Sequence, residues 1–171
     1  MTRLRWTSET TTETAVVSAS PDGWHVEALV EGTPAVRYSL TADEGWATRA
    51  VRVATRERSI ELLADGRGRW SDGEGRALPH LDGALDVDIS ATPLTNTLAI
   101  ARLALPVGTS AEIVTAYVAV PELTTASDPQ RYTRLGEHLY RYESLDSDFT
   151  REIEVDDDGF VLDYPGLFRR T

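Results

Sequence analysis

Val16-Val-Ser-Ala-Ser-Pro-Asp-Gly-Trp-His-Val-Glu-Ala-Leu-Val30 is the stretch from which the rest of the chain is read. On either side of Ser20-Pro21-Asp22-Gly23 apolar and polar residues alternate, and a period of two belongs to a strand with one face in a core. Proline presets φ for a turn, aspartate bonds its own backbone, and glycine accepts positive φ. The segment therefore predicts two antiparallel strands joined by a tight turn.

The same unit recurs outward. Glu31-Gly-Thr-Pro34 leads into Ala35–Leu40, and Ala47–Ala54 and Arg58–Leu63 repeat the alternation. Asp65-Gly66 and Gly68 then carry the chain to Trp70. In Leu85-Asp-Val-Asp-Ile89 the carboxylates Asp86 and Asp88 share one face, and Val87 and Ile89 the other. Ile113–Val120 is a β-branched run stopped by Pro121; after it come Gln130–Leu135, His138–Ser144, Phe149–Val155 and Phe160–Tyr164. Turn signals recurring at about ten residues predict a mainly β, antiparallel chain with at most one or two short helices. Helical spacing occurs twice. Leu94, Leu98, Ala101 and Leu105 follow Thr92-Pro93, a good helix start. Tyr132, Leu135, Leu139 and Tyr142 span Gly136. Either segment reads as helix or strand. No linker or repeat divides the chain, so residues 1–171 read as one domain.

Apolar residues make up 41% of the 171, enough for a core at this length. No apolar run approaches the ~18 residues of a membrane-spanning helix, and the polar Met1–Thr10 lacks the apolar stretch of a signal peptide. The expectation is a cytoplasmic protein. Cysteine is absent, which excludes disulfides and thiolate metal sites. Lysine is absent too, and 17 arginines face 28 acidic residues for a net charge of −11. Such a field disfavours nucleic acid and anionic membrane surfaces as partners.

Motifs for chemistry are incomplete. Glu154, Asp156, Asp158 and Gly159 imitate the start of a calcium loop, but Pro165 stands where its bidentate glutamate belongs. His80, Asp82, Asp86 and Asp88 are too loosely arranged to promise a metal site. No Gly-x-Ser-x-Gly elbow occurs, His25, His80 and His138 are scattered, and Gly66–Gly75 lacks a phosphate-loop pattern. No metal, cofactor or catalytic residue is expected.

Asp82-Gly-Ala-Leu-Asp-Val-Asp-Ile-Ser-Ala-Thr-Pro-Leu-Thr-Asn-Thr-Leu-Ala-Ile-Ala-Arg-Leu103 resembles the hallmark of the putative glycolipid-binding family, a former domain of unknown function. Trp46-Ala-Thr-Arg49, Gly68-x-Trp70, Gln130-Arg-Tyr132, Tyr140-x-Tyr142 and Asp158–Gly166 extend the resemblance over nearly the whole chain. Ala99 replaces a frequent proline and Ala101 the first of two frequent arginines. The resemblance implies a fold like the bacterial lipoprotein-carrier proteins, a curved sheet forming a half-open barrel around an apolar cavity. It also implies a non-catalytic protein that holds a glycolipid or similar amphipathic molecule there. Rim candidates are then Arg49, Asp86, Asp88, Asn96 and Arg102, and wall candidates Trp46, Trp70, Tyr132 and Tyr142. Two alternatives stay open: a hydrolase or a lipid- or sugar-modifying enzyme using Asp82, Asp86 and Asp88, and a scaffold that binds another protein along a sheet edge. Should Arg102 face the interior, a carboxylate must compensate it, and Asp86 or Asp88 is the expected partner.

Overall fold

Strands β1 (Thr2–Thr7), β2 (Thr11–Ser20), β3 (Gly23–Gly32), β4 (Val36–Ala42), β5 (Thr48–Ala54), β6 (Ser59–Ala64) and β7 (Trp70–Asp72) follow one another as a meander. A 3-10 turn at Pro79–Leu81 leads to β8 (Asp86–Ile89) and then the helix α1 (Leu94–Leu103). A second meander follows: β9 (Ser110–Val118), β10 (Thr125–Arg134), β11 (Leu139–Ser144), β12 (Thr150–Val155), β13 (Val161–Tyr164) and β14 (Phe168–Arg170). The computed structural model describes residues 1–171, 54% of them in strands and 8% in helix.

All fourteen strands form one curved sheet, in the order β7-β6-β5-β4-β3-β2-β1-β14-β13-β12-β11-β10-β9-β8. The two meanders join where β1 pairs with β14, Trp6 opposite Arg170. Every pairing is antiparallel except β8 with β9, where Asp86 lies opposite Thr115. That parallel pair requires a crossover, and α1 supplies it. The sheet does not close into a barrel, but single contacts tie its ends. The Thr48 N–H donates to the Leu85 carbonyl at 2.8 Å, and the Gly83 N–H to the Gly68 carbonyl at 2.8 Å. A Cβ on Gly68 would sit 3.2 Å from Gly83 Cα, and φ is +96° there. The two backbones meet because Gly68 has no side chain.

Alternation decides which side chains turn inward. Val26, Ala28 and Val30 on β3 and Val36, Tyr38, Leu40 and Ala42 on β4 are buried, while Glu27 and Arg37 are exposed. They join Trp6, Val51, Val53, Trp70, Leu94 and Leu98 in one core cluster. A second cluster holds Tyr132, Tyr140, Tyr142, Ile153, Val155, Val161 and Tyr164 with Ala99 and Ile100.

Thus α1 packs into both clusters, and each of its residues from Leu94 to Ile100 is buried. A helix buried on all sides has no solvent stripe, which explains why its pattern reads equally well as a buried strand. Thr92 Oγ1 accepts the Leu94 N–H at 3.0 Å at its start, and Ala104 ends it in a left-handed conformation. The second helical spacing is a strand turn: the Leu135 N–H donates to the Leu139 carbonyl at 2.8 Å between β10 and β11. One expectation from the resemblance is corrected. The concave space is not an open apolar cavity at its centre, because α1 and the two packed clusters fill it.

Candidate functional site

Beside α1 the sheet leaves a groove of about 320 Å³, lined by residues of β8, α1, β9, β10, β11 and β13 and by the loop before β12. Asp88 reaches it from β8. Its Oδ1 accepts the Thr95 hydroxyl at 3.1 Å, and its Oδ2 accepts Gln130 Nε2 at 2.7 Å. The same Gln130 Nε2 donates to Asp128 Oδ2 at 2.6 Å, so one amide joins two carboxylates. Gln130 is fully buried and its Oε1 has no partner. Burial pushes the Asp88 carboxyl up to about 6, with Asp128 and Asp86 adding to the rise and the Gln130 and Thr95 bonds opposing it. Burial likewise raises Asp128.

Aromatic rings form the facing wall. Tyr142 meets Phe149 edge to face with centroids 5.9 Å apart and lies 6.4 Å from Tyr164; Tyr164 meets Phe168 at 6.3 Å. Asn96, Tyr117 and Asp146 also line the groove, and no arginine does. Behind it, Asn96 Nδ2 donates to the Tyr132 hydroxyl at 2.8 Å. Burial drives the Tyr132, Tyr142 and Tyr164 phenols upward, and the nearby Asp88 charge adds to each. They are therefore neutral hydroxyls at physiological pH.

Of the residues singled out in the sequence, Asp88, Asn96 and Tyr142 line this groove and Tyr132 supports it. The others lie elsewhere. Asp86, fully buried, takes Arg102 Nε at 2.9 and 3.1 Å and Nη2 at 2.6 Å. Arg102 edges a separate depression with Leu85, Leu103 and Val114. Trp70 is core, its indole N–H donating to the Ala84 carbonyl at 2.9 Å. Trp46 stacks on Trp24 at 4.1 Å. Arg49 is exposed, donating to the Ala64 carbonyl at 3.3 Å. Asp82 is exposed, and His80 bonds Thr125 Oγ1 at 2.8 Å. No group of three or more histidine or acidic side chains is placed to hold a metal ion.

Sequence reasoning missed Asp128 and the Glu13 cluster. Glu13 is buried on β2, where its Oε1 accepts the Tyr38 hydroxyl and, at 2.8 Å, the Thr92 hydroxyl. Its Oε2 has no partner. Burial raises its pKa to about 7 against those two bonds. The signal was present: Glu13 shares parity with Ala15 and Val17, both inward on the same strand.

Asp88, Asn96, Gln130, Tyr132, Tyr142 and Tyr164 fall in the segments that carry the family resemblance. A family model described as "Putative glycolipid-binding" matches residues 3–170. The chain belongs to that family. It is also similar to a DUF1089 family protein from Pseudomonas aeruginosa, solved by crystallography at 1.80 Å. The two are 40% identical, with a TM-score of 0.84 over 93% of this chain and 92% of the other. No curated protein matches. As in the expectation from the resemblance, the sheet is curved and open. No helix is long and apolar enough to cross a membrane.

Proposed function

We propose that the protein is a non-catalytic binder of a glycolipid or similar amphipathic lipid, and that the groove beside α1 takes the sugar head. One observation carries this reading: a floor of carboxylates and an amide faces a wall of aromatic rings in a concave site. Sugar hydroxyls are donors that carboxylates and amide oxygens accept. The apolar C–H face of a sugar packs on aromatic rings, as apolar surface does in ligand pockets generally. The family description supports the same ligand class.

The alkyl tail does not run among the two packed core clusters. The groove shares Ser90, Leu167 and Phe168 with a second depression of about 250 Å³ bounded by Ser8, Glu9, Thr10 and Thr11 as well as Pro34, Ala91 and Val120. The tail leaves the head along the shared Leu167 and Phe168 side chains. Native mass spectrometry of protein purified gently from its own host tests the reading. Retained mass matching a glycolipid, lost in Phe149→Ala, is expected; a phospholipid retained equally by parent and variant would contradict it.

An enzymatic alternative has one observation in its favour. Asp88 and Asp128 are two carboxylates of raised pKa in one groove, a pattern also met in glycoside hydrolysis. Release of p-nitrophenol from aryl glycosides, abolished by Asp88→Asn, would promote it over simple binding.

A further inference from the structure

We propose that the groove selects a head bearing an ammonium group, as in an amino sugar, over a neutral or an anionic one. The inference rests on the glycolipid reading and adds the sign of the head's charge. Asp88, Asp128 and Asp146 all line the groove, and no cationic side chain does. The guanidiniums that could neutralise them are engaged elsewhere. Arg102 is held by Asp86. Arg151 lies 4.6 Å over the Phe149 ring and donates to the Pro165 and Thr150 carbonyls. Arg170 is bound to Asp156 at 2.5 Å.

What joins Asp88 to Asp128 is the neutral amide of Gln130, which supplies one nitrogen to both and leaves its own oxygen unpartnered and buried. The cluster therefore contains more acceptors than donors. An ammonium brings three donors and one positive charge, the complement of that excess. Phosphate or sulfate would bring further acceptors and negative charge to a site already acidic, in a chain of net charge −11.

Three probes with one tail decide it: the octyl glycosides of glucose, glucosamine and glucuronic acid, titrated by calorimetry at pH 7. The glucosamine glycoside is expected to bind at least about tenfold tighter than the other two, the low end for a charge-assisted hydrogen bond. Asp128→Asn with Asp146→Asn should abolish the preference for the glucosamine glycoside and so bring the three affinities together. Both residues are outside the buried core, so folding is retained, as a circular dichroism melt will check. Equal binding of all three by the parent overturns the ammonium inference and leaves the glycolipid reading standing. Binding of none overturns both.

Discussion

Arg102 grips Asp86 with two nitrogens, both carboxylate oxygens taken, where the carboxylate is 1% and the guanidinium 17% exposed. The pair ties the last turn of α1 to β8, and so fixes the helix that fills the concave side of the sheet. A paired buried charge is neutral in cost beside an apolar substitute, but a widowed one is not. Arg102→Leu leaves Asp86 unpaired and should lower unfolding free energy by about 3 kcal/mol. Arg102→Lys should recover part of it, lacking the bidentate fork. Denaturant midpoints read both. Because Arg102 lies outside the groove, affinity for a glycoside should be unchanged in the lysine variant.

Glu13 sets a pH dependence of stability. Its folded pKa is raised from 4.5 to about 7, so the folded chain keeps a proton that the unfolded chain has released. The Glu13 contribution is then greatest below pH 4.5 and is lost as pH rises to about 7. The integrated loss is about 3 kcal/mol. Glu13→Gln keeps an acceptor for the Tyr38 and Thr92 hydroxyls without the charge. It should be close to neutral at pH 5 and stabilising at pH 8, read as thermal midpoints at the two pH values. A variant less stable than the parent at pH 8 would contradict the account.

Asp88 sets a second one, in binding. The groups facing it are Asp86 on its own strand, Thr95 on α1, Tyr117 on β9, Asp128 and Gln130 on β10, and the Tyr132, Tyr142 and Tyr164 phenols. The phenols are pushed upward and stay neutral. Between pH 7 and pH 5 the Asp88 carboxylate, with its pKa near 6, gains a proton and loses its attraction for a cation. Octyl glucosaminide, itself more fully charged at pH 5, should nonetheless bind more weakly there. Flat affinity across that range would remove Asp88 from the contact.

The aromatic wall and the distant tryptophan stack give opposite expectations. Phe149, partly exposed at the rim, packs on Tyr142. Phe149→Ala should weaken glycoside binding roughly tenfold, the upper end for one aromatic contact. Trp46 stacks on Trp24 outside the groove, so Trp46→Ala should leave affinity as it is. Calorimetric titration of both variants with one probe separates them.

The contrast shows what was legible in the sequence. Alternation and turn chemistry predicted β2 to β6 and β8 to β13, because a half-buried strand writes its two faces in turn. The helix was ambiguous because α1 is enclosed on every side, and an enclosed helix shows no polar stripe. Asp88, Asn96 and Tyr142, named from the segments that carry the resemblance, line the proposed groove. Trp70 lies in such a segment too and is core, since an indole that donates to the Ala84 carbonyl needs no ligand. Glu13 stayed hidden because its partners are distant in sequence, and Asp128 because its neighbour Gln130, two positions on, joins it to a distant carboxylate. Glu13 meets Thr92 across 79 positions and Gln130 meets Asp88 across 42, and no local spacing announces such pairs.

The central claim is the location of the head-group site. Amide chemical shifts of isotope-labelled protein, followed while octyl glucosaminide is added, test it most directly. Saturable shifts centred on Asp88, Asn96, Asp128, Tyr142, Phe149 and Tyr164 are predicted, with the Trp24 and Trp46 amides still. Shifts gathered instead around Arg102, Leu103 and Val114, or around Trp46 and Arg49, would contradict it.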